Sequence, residues 1–372
     1  METKSRCLNI SGRRVGPGSA VYIVAEMSAN HNQDFAQAVR ILHAAKDAGV
    51  DAIKLQTYTR DTLTIDSQNE YFRVGGGTLW DGRTLYDLYG EAYTPWEWQP
   101  KLKRIADEIG LDLFSTPFDS TAVDFLEAMQ VPAHKIASFE VVDLPLIRRV
   151  AATGKPVIMS TGMATLGEID EAVRSFRAAG GIQLALLKCT SAYPAPAGEM
   201  NLRCLTHLAD AFDVPVGLSD HTLGSAVAVA AVALGATIIE KHFTLSRAMQ
   251  GPDSAFSLEP DEFKAMVEAI RTAEQALGQV RYGVSELESK SRVFRRSLFV
   301  VKDISRGETL TADNVRSIRP GHGLHTRYLG DVLGRQATRA IERGTPLAWD
   351  LVGGRELAVN EGKMRDGQHV AG

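Results

Sequence analysis

Two histidines, His221 and His242, each follow a short apolar run of β-strand length, and this spacing could place both on one metal ion. The runs cover residues 215–218 and 236–239, with an Ala/Val-rich helical pattern between them. In a parallel α/β protein the carboxyl ends of the strands share one face, where binding sites lie. Two imidazoles leave a six-coordinate ion open positions, which favours Mn²⁺ or Mg²⁺ as a Lewis acid over a closed zinc site. The alternative is a pair of neutral, hydrogen-bonded core histidines.

Two lysines interrupt apolar, strand-like runs: Lys54 in AIKLQ and Lys135 in HKIAS. Burying an unpaired ammonium group is costly, so these lysines predict either bound anions or buried ion pairs. Other polar residues also stand at predicted strand ends, namely Gln56, Thr116, Ser138, Ser160, Lys188, Ser191, Tyr193, Ser219, Asp220 and Lys241. Lysines and hydroxyl groups gathered on one face suit a substrate that carries phosphate and carboxylate groups.

Glu26 ends the first apolar run, VYIVAE, and two roles remain open for it. It is either the ion-pair partner of a lysine such as Lys54, or an acid–base group or contact to a substrate hydroxyl. Cys189 lies in another strand-like run and has no CxxC partner. We predict that Cys189 packs in the core and does not act in catalysis.

The composition is that of an ordinary globular protein, with 44% apolar and 23% charged residues. A net charge of −4 predicts neither nucleic-acid nor membrane binding. Three widely spaced cysteines indicate a reducing compartment and not a disulfide framework. The first residues lack the apolar core of a signal peptide, and no uncharged apolar run approaches about 18 residues, so we expect a cytoplasmic protein.

Strand and helix patterns alternate over residues 1–278, and eight of each can be assigned. The strands are mostly continuous apolar runs, which is typical of a (β/α)₈ TIM barrel. A doubly wound open sheet is the structural alternative, although the count of eight favours closure. A long, aromatic-rich connection that contains Gly75-Gly76-Gly77 runs to about Glu91, and it predicts an ordered lid.

Residues 279–372 have a different sequence pattern from that of the predicted barrel. Residues 279–291 are polar and predict a linker, whereas residues 292–352 predict a small β-rich domain. Residues 353–372 lack apolar periodicity and predict a flexible tail. The residues alone thus indicate a barrel enzyme that handles a phosphorylated or carboxylated small molecule with a metal. Carbon–carbon bond formation at an aldehyde and metal-assisted hydrolysis both fit.

The order of short motifs along the chain resembles that of the sialic acid synthase family. The motifs are AEMSANHN, IKLQTY, FSTPFD, HKIASFE, MSTGMAT, LKCTSAYPAP, GLSDHTLG, EKHFT and GPD. In the C-terminal module, IRPGHG resembles the antifreeze-like (SAF) domain of that family, and the resemblance spans about residues 15–352. It implies a synthase that condenses phosphoenolpyruvate with an N-acetylated amino sugar to give a nonulosonic acid.

The resemblance also implies roles for individual residues. The phosphoenolpyruvate site would consist of Lys54, Thr116, Lys135, Ser138, Ser160 and Ser219. The sugar site would consist of Gln56, Ser191, Tyr193, Asp253 and Arg319. Glu26, His221 and His242 would be catalytic, and the histidines would hold Mn²⁺, or Mg²⁺ or Co²⁺, to polarise the C1 aldehyde of the open-chain sugar. C3 of phosphoenolpyruvate would attack that carbon, water would add at C2, and phosphate would leave by C–O cleavage.

Residues 79–98 resemble the branch of the family that makes pseudaminic acid from 2,4-diacetamido-2,4,6-trideoxy-L-altropyranose. Ser191 points the same way, because members that make N-acetylneuraminic acid commonly carry Asn there. Synthesis of N-acetylneuraminic or legionaminic acid is the close alternative, and a non-catalytic carbohydrate-binding protein is the alternative of another class. The resemblance further implies a domain-swapped homodimer, in which Arg319 or the nearby Arg316 reaches the partner's barrel.

Overall fold

The computed structural model describes residues 7–355, and the chain divides into two compact units between Gly278 and Gln279. Within the described part of the first unit, eight parallel strands close into a barrel. These strands are Tyr22–Glu26, Ala52–Thr57, Asp112–Pro117, His134–Ile136, Val157–Ser160, Leu184–Cys189, Val216–Asp220 and Ile238–His242. The last strand pairs with Val216–Asp220 on one side and with Tyr22–Glu26 on the other. The predicted barrel is therefore confirmed, and the open sheet is excluded.

Helices alternate with these strands and pack against the outside of the barrel. They are Phe35–Asp47, Gln99–Glu108, Ser120–Ala128, Leu144–Ala151, Leu166–Ala178, Cys204–Phe212, Ala226–Ala233 and Pro260–Leu277. Short polar side chains define several helix starts. Asp34 accepts a hydrogen bond from the backbone N–H of Ala36, and Thr165 forms a reciprocal capping box with Glu168. The sequence thus specifies both where the helices begin and which apolar stripe they bury.

The interior of the barrel is apolar at the amino-terminal end of the strands. Tyr22, Phe114 and Ile158 belong to one buried cluster there. An antiparallel hairpin of Leu8–Ile10 and Arg13–Val15, which was not predicted, adds Leu8, Ile10 and Val15 to the same cluster. Because side chains alternate with a period of two along a strand, the inward positions further along each strand lie at the carboxyl end. The polar residues of interest stand at that end.

The connection between the second and third barrel strands contains two further helices, Arg60–Leu63 and Leu85–Ala92. Between them the chain forms an irregular hairpin, with a bridge between Arg73 and Thr84. The backbone N–H of Gly82 donates to the carbonyl of Val74 at 2.8 Å. Backbone hydrogen bonds therefore join the two sides of this segment, as the prediction of an ordered connection requires.

The second unit has its own core, which includes Leu298, Val300 and Leu347. Its strands are Ser297–Val300, Val315–Ile318, Arg335–Ala337 and Val352–Arg355, and its α-helices are Glu286–Ser289 and Leu329–Val332. The first of these helices lies inside the predicted linker, so that segment is partly regular. The last strand includes the first residues of the predicted tail, and the remainder of that tail lies outside the described residues. Within residues 7–355, no helix combines the length and the apolar character needed to cross a membrane.

Candidate active site

A cavity of about 60 Å³ lies at the carboxyl end of the barrel strands. Its lining consists of Glu26, Lys54, Gln56, Lys135, Ala137, Ser138, Phe139, Ser160, Cys189, Tyr193, Ser219, His221, Glu240 and His242. Most of the residues predicted for the two substrates and the metal are in this set. They come from seven different barrel strands or the loops that follow them, and the closed barrel brings them together.

The remaining predicted residues stand behind or outside this lining. Thr116 lies behind Lys54 and accepts a hydrogen bond from its Nζ at 3.2 Å. Asp253 accepts a hydrogen bond from Ser28 Oγ, and Ser191 Oγ lies 3.7 Å from the thiol of Cys189. Arg319 belongs to the second unit, where its side chain is exposed.

The prediction that Lys188, Asp220 and Lys241 face the site was wrong. Lys241 Nζ instead donates to Asp220 Oδ2 at 2.7 Å, and both side chains are fully buried outside the cavity lining. Lys188 Nζ donates to the carbonyl of Cys189 at 2.7 Å. Because inward and outward positions alternate along a strand, the inward positions at these strand ends belong to the neighbours, Glu240 among them.

Four charged side chains form a buried cluster beside the cavity. Lys54 Nζ lies 2.5 Å from Glu26 Oε2 and 3.7 Å from Glu240 Oε1. Lys135 Nζ lies 3.8 Å from the same Glu240 oxygen and donates to Ser160 Oγ at 2.7 Å. Both lysines therefore have acidic partners, as one of the two predicted alternatives requires. They also line the cavity, so they are positioned to meet an anion there.

The surroundings of the two glutamates shift their pKa values in opposite directions. Burial raises the pKa of Glu26 to about 7, although Lys54 opposes the shift. Burial alone would also raise the pKa of Glu240, but Lys135 and Lys54 hold it below its usual value. Glu240 therefore serves as the ionised partner of both lysines. Glu26 can accept or donate a proton near neutral pH, which is the property of an acid–base group.

The two histidine rings lie close together at the same end of the barrel, with their centroids 5.4 Å apart. His221 Nδ1 donates to the carbonyl of Thr190 at 3.0 Å, so Nε2 is the nitrogen that could bind a metal ion. His242 Nδ1 is buried and has no hydrogen-bond partner among residues 7–355. Burial and the neighbouring His221 hold the pKa of His242 well below its usual value. His242 is thus a neutral imidazole, the form that binds metal ions.

These features fit a divalent metal ion. Burying the unpartnered Nδ1 of His242, a residue that is only 8% exposed, is otherwise costly, and a metal ion would satisfy this nitrogen. In the described part of the chain, His, Cys, Asp and Glu side chains form no group of three or more with metal-ligand geometry. Any ion held by the two histidines would therefore need water or substrate oxygens as its other ligands, which suits an open catalytic site better than a structural one.

Aromatic and hydroxyl groups surround the histidines. The Tyr193 ring lies 4.4 Å from that of His221, and the Phe256 ring lies 4.9 Å from that of His242.

Gln56 Nε2 donates to Glu26 Oε1 at 2.9 Å and to Ser28 Oγ at 3.0 Å. Gln56 thereby connects the acid–base candidate to the loop that contacts Asp253.

Gly162 permits the close approach of two predicted substrate contacts. A Cβ atom at this position would lie 2.3 Å from Ser191 Oγ and 2.7 Å from Ser138 Oγ. The backbone N–H of Gly162 donates to Ser138 Oγ at 3.1 Å. A side chain at position 162 would therefore displace both hydroxyl groups, and only glycine fits without rearrangement.

The sequence analysis did not predict that Glu240 and Cys189 line the cavity. Glu240 stands next to the two residues that were singled out, and only the strand register distinguishes its direction from that of Lys241. Cys189 is buried, as predicted, but its thiol lines the cavity and lies 3.8 Å from His221 Nδ1. The acidic residue in EKHFT was the one available signal for Glu240, because two buried lysines require a buried counter-charge.

The chain matches two protein families in succession. Residues 41–282 match the NeuB family, and residues 295–353 match the SAF domain. The matches fall on the barrel and on the second unit, respectively.

Individual relatives cover most of the chain. The pseudaminic acid synthase of Helicobacter pylori is 47% identical over 330 residues, which is 88% of this chain and 96% of that protein. The pseudaminic acid synthase of Campylobacter jejuni is 47% identical over 88% of this chain and 95% of its own length. The crystal structure of N-acetylneuraminic acid (sialic acid) synthetase from Leptospira borgpetersenii has 30% sequence identity and a TM-score of 0.68. It covers 77% of this chain and 94% of its own.

Proposed function

The chain belongs to the NeuB family, and on that premise we propose that it makes pseudaminic acid. The reaction condenses phosphoenolpyruvate with 2,4-diacetamido-2,4,6-trideoxy-L-altropyranose and water, and it releases phosphate. The protein is accordingly a carbon–carbon bond-forming synthase of the transferase class. The observation that carries the proposal is the 47% identity to a pseudaminic acid synthase over 88% of the chain, against 30% to an N-acetylneuraminic acid synthetase.

The lysine cluster supports phosphoenolpyruvate as the anionic substrate. Lys54 and Lys135 supply positive charge, and hydroxyl groups line the cavity beside them or lie directly behind it. Charge-assisted hydrogen bonds of this kind are about twice as strong as neutral ones. We assign this role to Lys54, Thr116, Lys135, Ser138, Ser160 and Ser219, which leaves the histidine side of the cavity for the sugar.

Glu26 is the group that we assign to proton transfer. When C3 of phosphoenolpyruvate bonds to C1 of the sugar, the former aldehyde oxygen needs a proton to become a hydroxyl group. When water adds at C2, it must lose a proton. A carboxyl group with a pKa of about 7 can perform both steps, donating first and accepting second, so the protons balance over the cycle.

We further propose that His221 and His242 hold a divalent ion, Mn²⁺ in preference to Mg²⁺ or Co²⁺. When bound, such an ion supplies Lewis acidity for an aldehyde oxygen. Thr190 orients His221 for this purpose, and Tyr193 and Phe256 shield the rings from water. Titrating the protein with Mn²⁺ and following the free ion by electron paramagnetic resonance tests the site. The H221A/H242A variant should lose this binding, and full turnover by that folded variant would contradict it.

Gln56, Ser191, Tyr193 and Asp253 are the residues of the barrel that we assign to the sugar. Arg319 of a second subunit would complete this group in a domain-swapped homodimer. The three cysteines are free, which fits the reducing environment of the cytoplasm, where we expect the enzyme to act.

The decisive experiment is a panel of sugars assayed for phosphate release from phosphoenolpyruvate in the presence of Mn²⁺. We expect turnover with 2,4-diacetamido-2,4,6-trideoxy-L-altrose and little with N-acetylmannosamine or with the precursor of legionaminic acid. Exclusive use of either of the latter sugars would reject the proposed product while keeping the family chemistry. Sugar binding without phosphate release would instead favour a non-catalytic carbohydrate-binding protein.

A further inference from the structure

Trp80 stands out within the lid because its ring contacts Tyr193, which lines the cavity, while its neighbours Leu79 and Asp81 are exposed. It lies in the irregular hairpin between Arg73 and Thr84, next to Leu79, which is 55% exposed. Trp80 itself is half-buried. Its Nε1–H donates to the carbonyl of Pro252 at 3.1 Å, which attaches the lid to the loop that contains Asp253. The indole is thus held beside Tyr193, one of the residues that line the cavity.

The same indole continues an aromatic series that starts at the histidines. The Tyr193 ring lies 4.4 Å from that of His221, and the Trp80 ring lies 5.8 Å from that of Tyr193. Phe256 also packs on Tyr193, at 5.2 Å. Trp80 is therefore separated from the histidines by one aromatic ring. A substrate that reacts at the histidines would present a part away from its reacting carbon to Trp80.

The chemistry of the sugar says which part that is. The reacting carbon is C1, and C6 lies at the opposite end of the open chain. In the proposed substrate C6 is a methyl group without a hydroxyl. Its burial against an apolar wall is favourable, and it cannot form a hydrogen bond with a polar wall. The hydrogen-bonding groups Gln56, Ser28 and Asp253 are linked to one another beside Glu26. The apolar end is consequently better matched by Trp80 and Tyr193.

We propose that Trp80, together with Tyr193, forms the apolar wall that receives the deoxygenated C6 end of the sugar and selects it over a 6-hydroxy sugar. This inference rests on the proposed function and assigns a specificity-determining residue within the same site. A hydroxyl group on C6 would lose its hydration against the indole, which offers it no partner because the Nε1–H already donates to the carbonyl of Pro252. The wall therefore discriminates partly by attraction of the methyl group and partly by rejection of the hydroxyl.

The test compares two substrates that differ only at C6: the 2,4-diacetamido-2,4,6-trideoxy sugar and its counterpart that retains the 6-hydroxyl. Phosphate release is measured for the wild type and for W80A, W80F and Y71A. Tyr71 is the matched control, because it belongs to the same lid but is 82% exposed. Circular dichroism and thermal melts establish that each variant is folded.

We expect W80A to lower kcat/KM for the 6-deoxy sugar by about tenfold, mainly through KM, because removing an apolar contact of this size has that effect. Turnover of the 6-hydroxy sugar should change little, so the preference collapses. W80F retains an aromatic wall without the indole N–H and should retain most of the preference, and Y71A should behave as the wild type.

Three results would overturn the inference. Equal losses on both sugars in W80A would make Trp80 a structural anchor only. A loss in W80F as large as that in W80A would assign the effect to the hydrogen bond with Pro252. A wild-type enzyme that turns over neither diacetamido sugar would reject the proposed function itself, whatever the Trp80 variants do.

Discussion

Lys54 and Lys135 tolerate deep burial because Glu26 and Glu240 lie against them and balance their charge. A buried ion pair of this kind contributes little to stability by itself, because desolvation offsets the attraction. The cluster matters for binding because its net charge changes when Glu26 is protonated. When Glu26 takes up a proton near neutral pH, the cluster has a surplus of positive charge that faces the cavity. An anionic substrate can then bind without competing with two ionised carboxylates.

Replacing Lys135 by Met should raise KM for phosphoenolpyruvate by about tenfold or more, because hydrogen bonds to charged groups contribute about 1.5–3 kcal/mol. Steady-state kinetics of phosphate release at saturating sugar measure this change. K188M is the matched control, because Lys188 also stands near the carboxyl end of a barrel strand, but its Nζ donates to the carbonyl of Cys189 and its side chain is not part of the cavity lining. Similar KM values for K135M and the wild type would remove Lys135 from the anion site.

Glu140 offers a prediction about pH and stability that is independent of catalysis. Its Oε2 is buried and has no hydrogen-bond partner in the described part of the chain, and burial raises its pKa to about 7 from the usual 4.5. Between these pH values the folded state keeps a proton that the unfolded chain releases, so stability falls as pH rises through this window. E140Q should remove that slope and melt at a higher temperature than the wild type at pH 8.

Thermal melts from pH 4 to pH 8 measure the effect of E140Q, and the two proteins should converge at the acidic end. E171Q provides the control, because Glu171 is an exposed helix position. A difference between E140Q and the wild type that does not change with pH would show that the side-chain amide acts by some other contact.

At the scale of the elements, buried hydrogen bonds around Asp220 and Lys241 join the carboxyl ends of the last two barrel strands. Asp220 accepts hydrogen bonds from the backbone N–H and the hydroxyl of Thr222 and from Lys241 Nζ, while Lys241 also donates to the carbonyl of Thr222. These contacts lie on the outer side of strands whose inner side presents His221 and His242. The Asp220–Lys241 pair thus connects the two strand ends that carry His221 and His242.

Breaking the Asp220–Lys241 pair should lower the free energy of unfolding substantially. K241M leaves Asp220 buried and unpaired, and the loss of one partner of such a pair typically costs about 3–5 kcal/mol of unfolding free energy. Urea denaturation measures the change. R174M is the control, since Arg174 and Asp170 form a solvent-exposed pair on one helix and exposed pairs contribute about 1 kcal/mol or less. A K241M variant as stable as R174M would mean that the buried pair is dispensable.

At the scale of the whole molecule, the two family matches coincide with two compact units that each have a core of their own. The barrel contributes the cavity, the lysine cluster and the two histidines. The second unit contributes an exposed Arg319 that follows the strand Val315–Ile318, in which Arg316 is also exposed. The proposal of a composite site in a homodimer assigns a catalytic purpose to the second unit.

Complementation between two defective subunits tests this proposal. R319A and H242A should each be inactive alone, but co-expressed subunits should regain activity, because one mixed site then combines an intact barrel with an intact arginine. The experiment with R316A in place of R319A identifies which arginine is needed. Phosphate release from the mixture is the measurement, and mixed dimers without any regained activity would exclude a composite site.

Much of this architecture follows from the sequence. Eight strand–helix alternations predict the barrel, and buried lysines and paired histidines at strand ends predict where the chemistry lies. The direction of each polar side chain could not be predicted. Strands of a parallel barrel are buried on both faces, so their apolar runs carry no alternation that marks the inside.

A shift of one residue reverses every side chain of a strand, and only the tertiary structure decides the register. That is why Glu240 and not Lys241 faces the cavity, and why Cys189 and not Lys188 lines it. The same limit applies to Trp80, whose place above Tyr193 depends on contacts between segments far apart in the chain. Residue types and spacing thus determine the kind of chemistry, while the closed barrel and the packed lid decide which side chains meet.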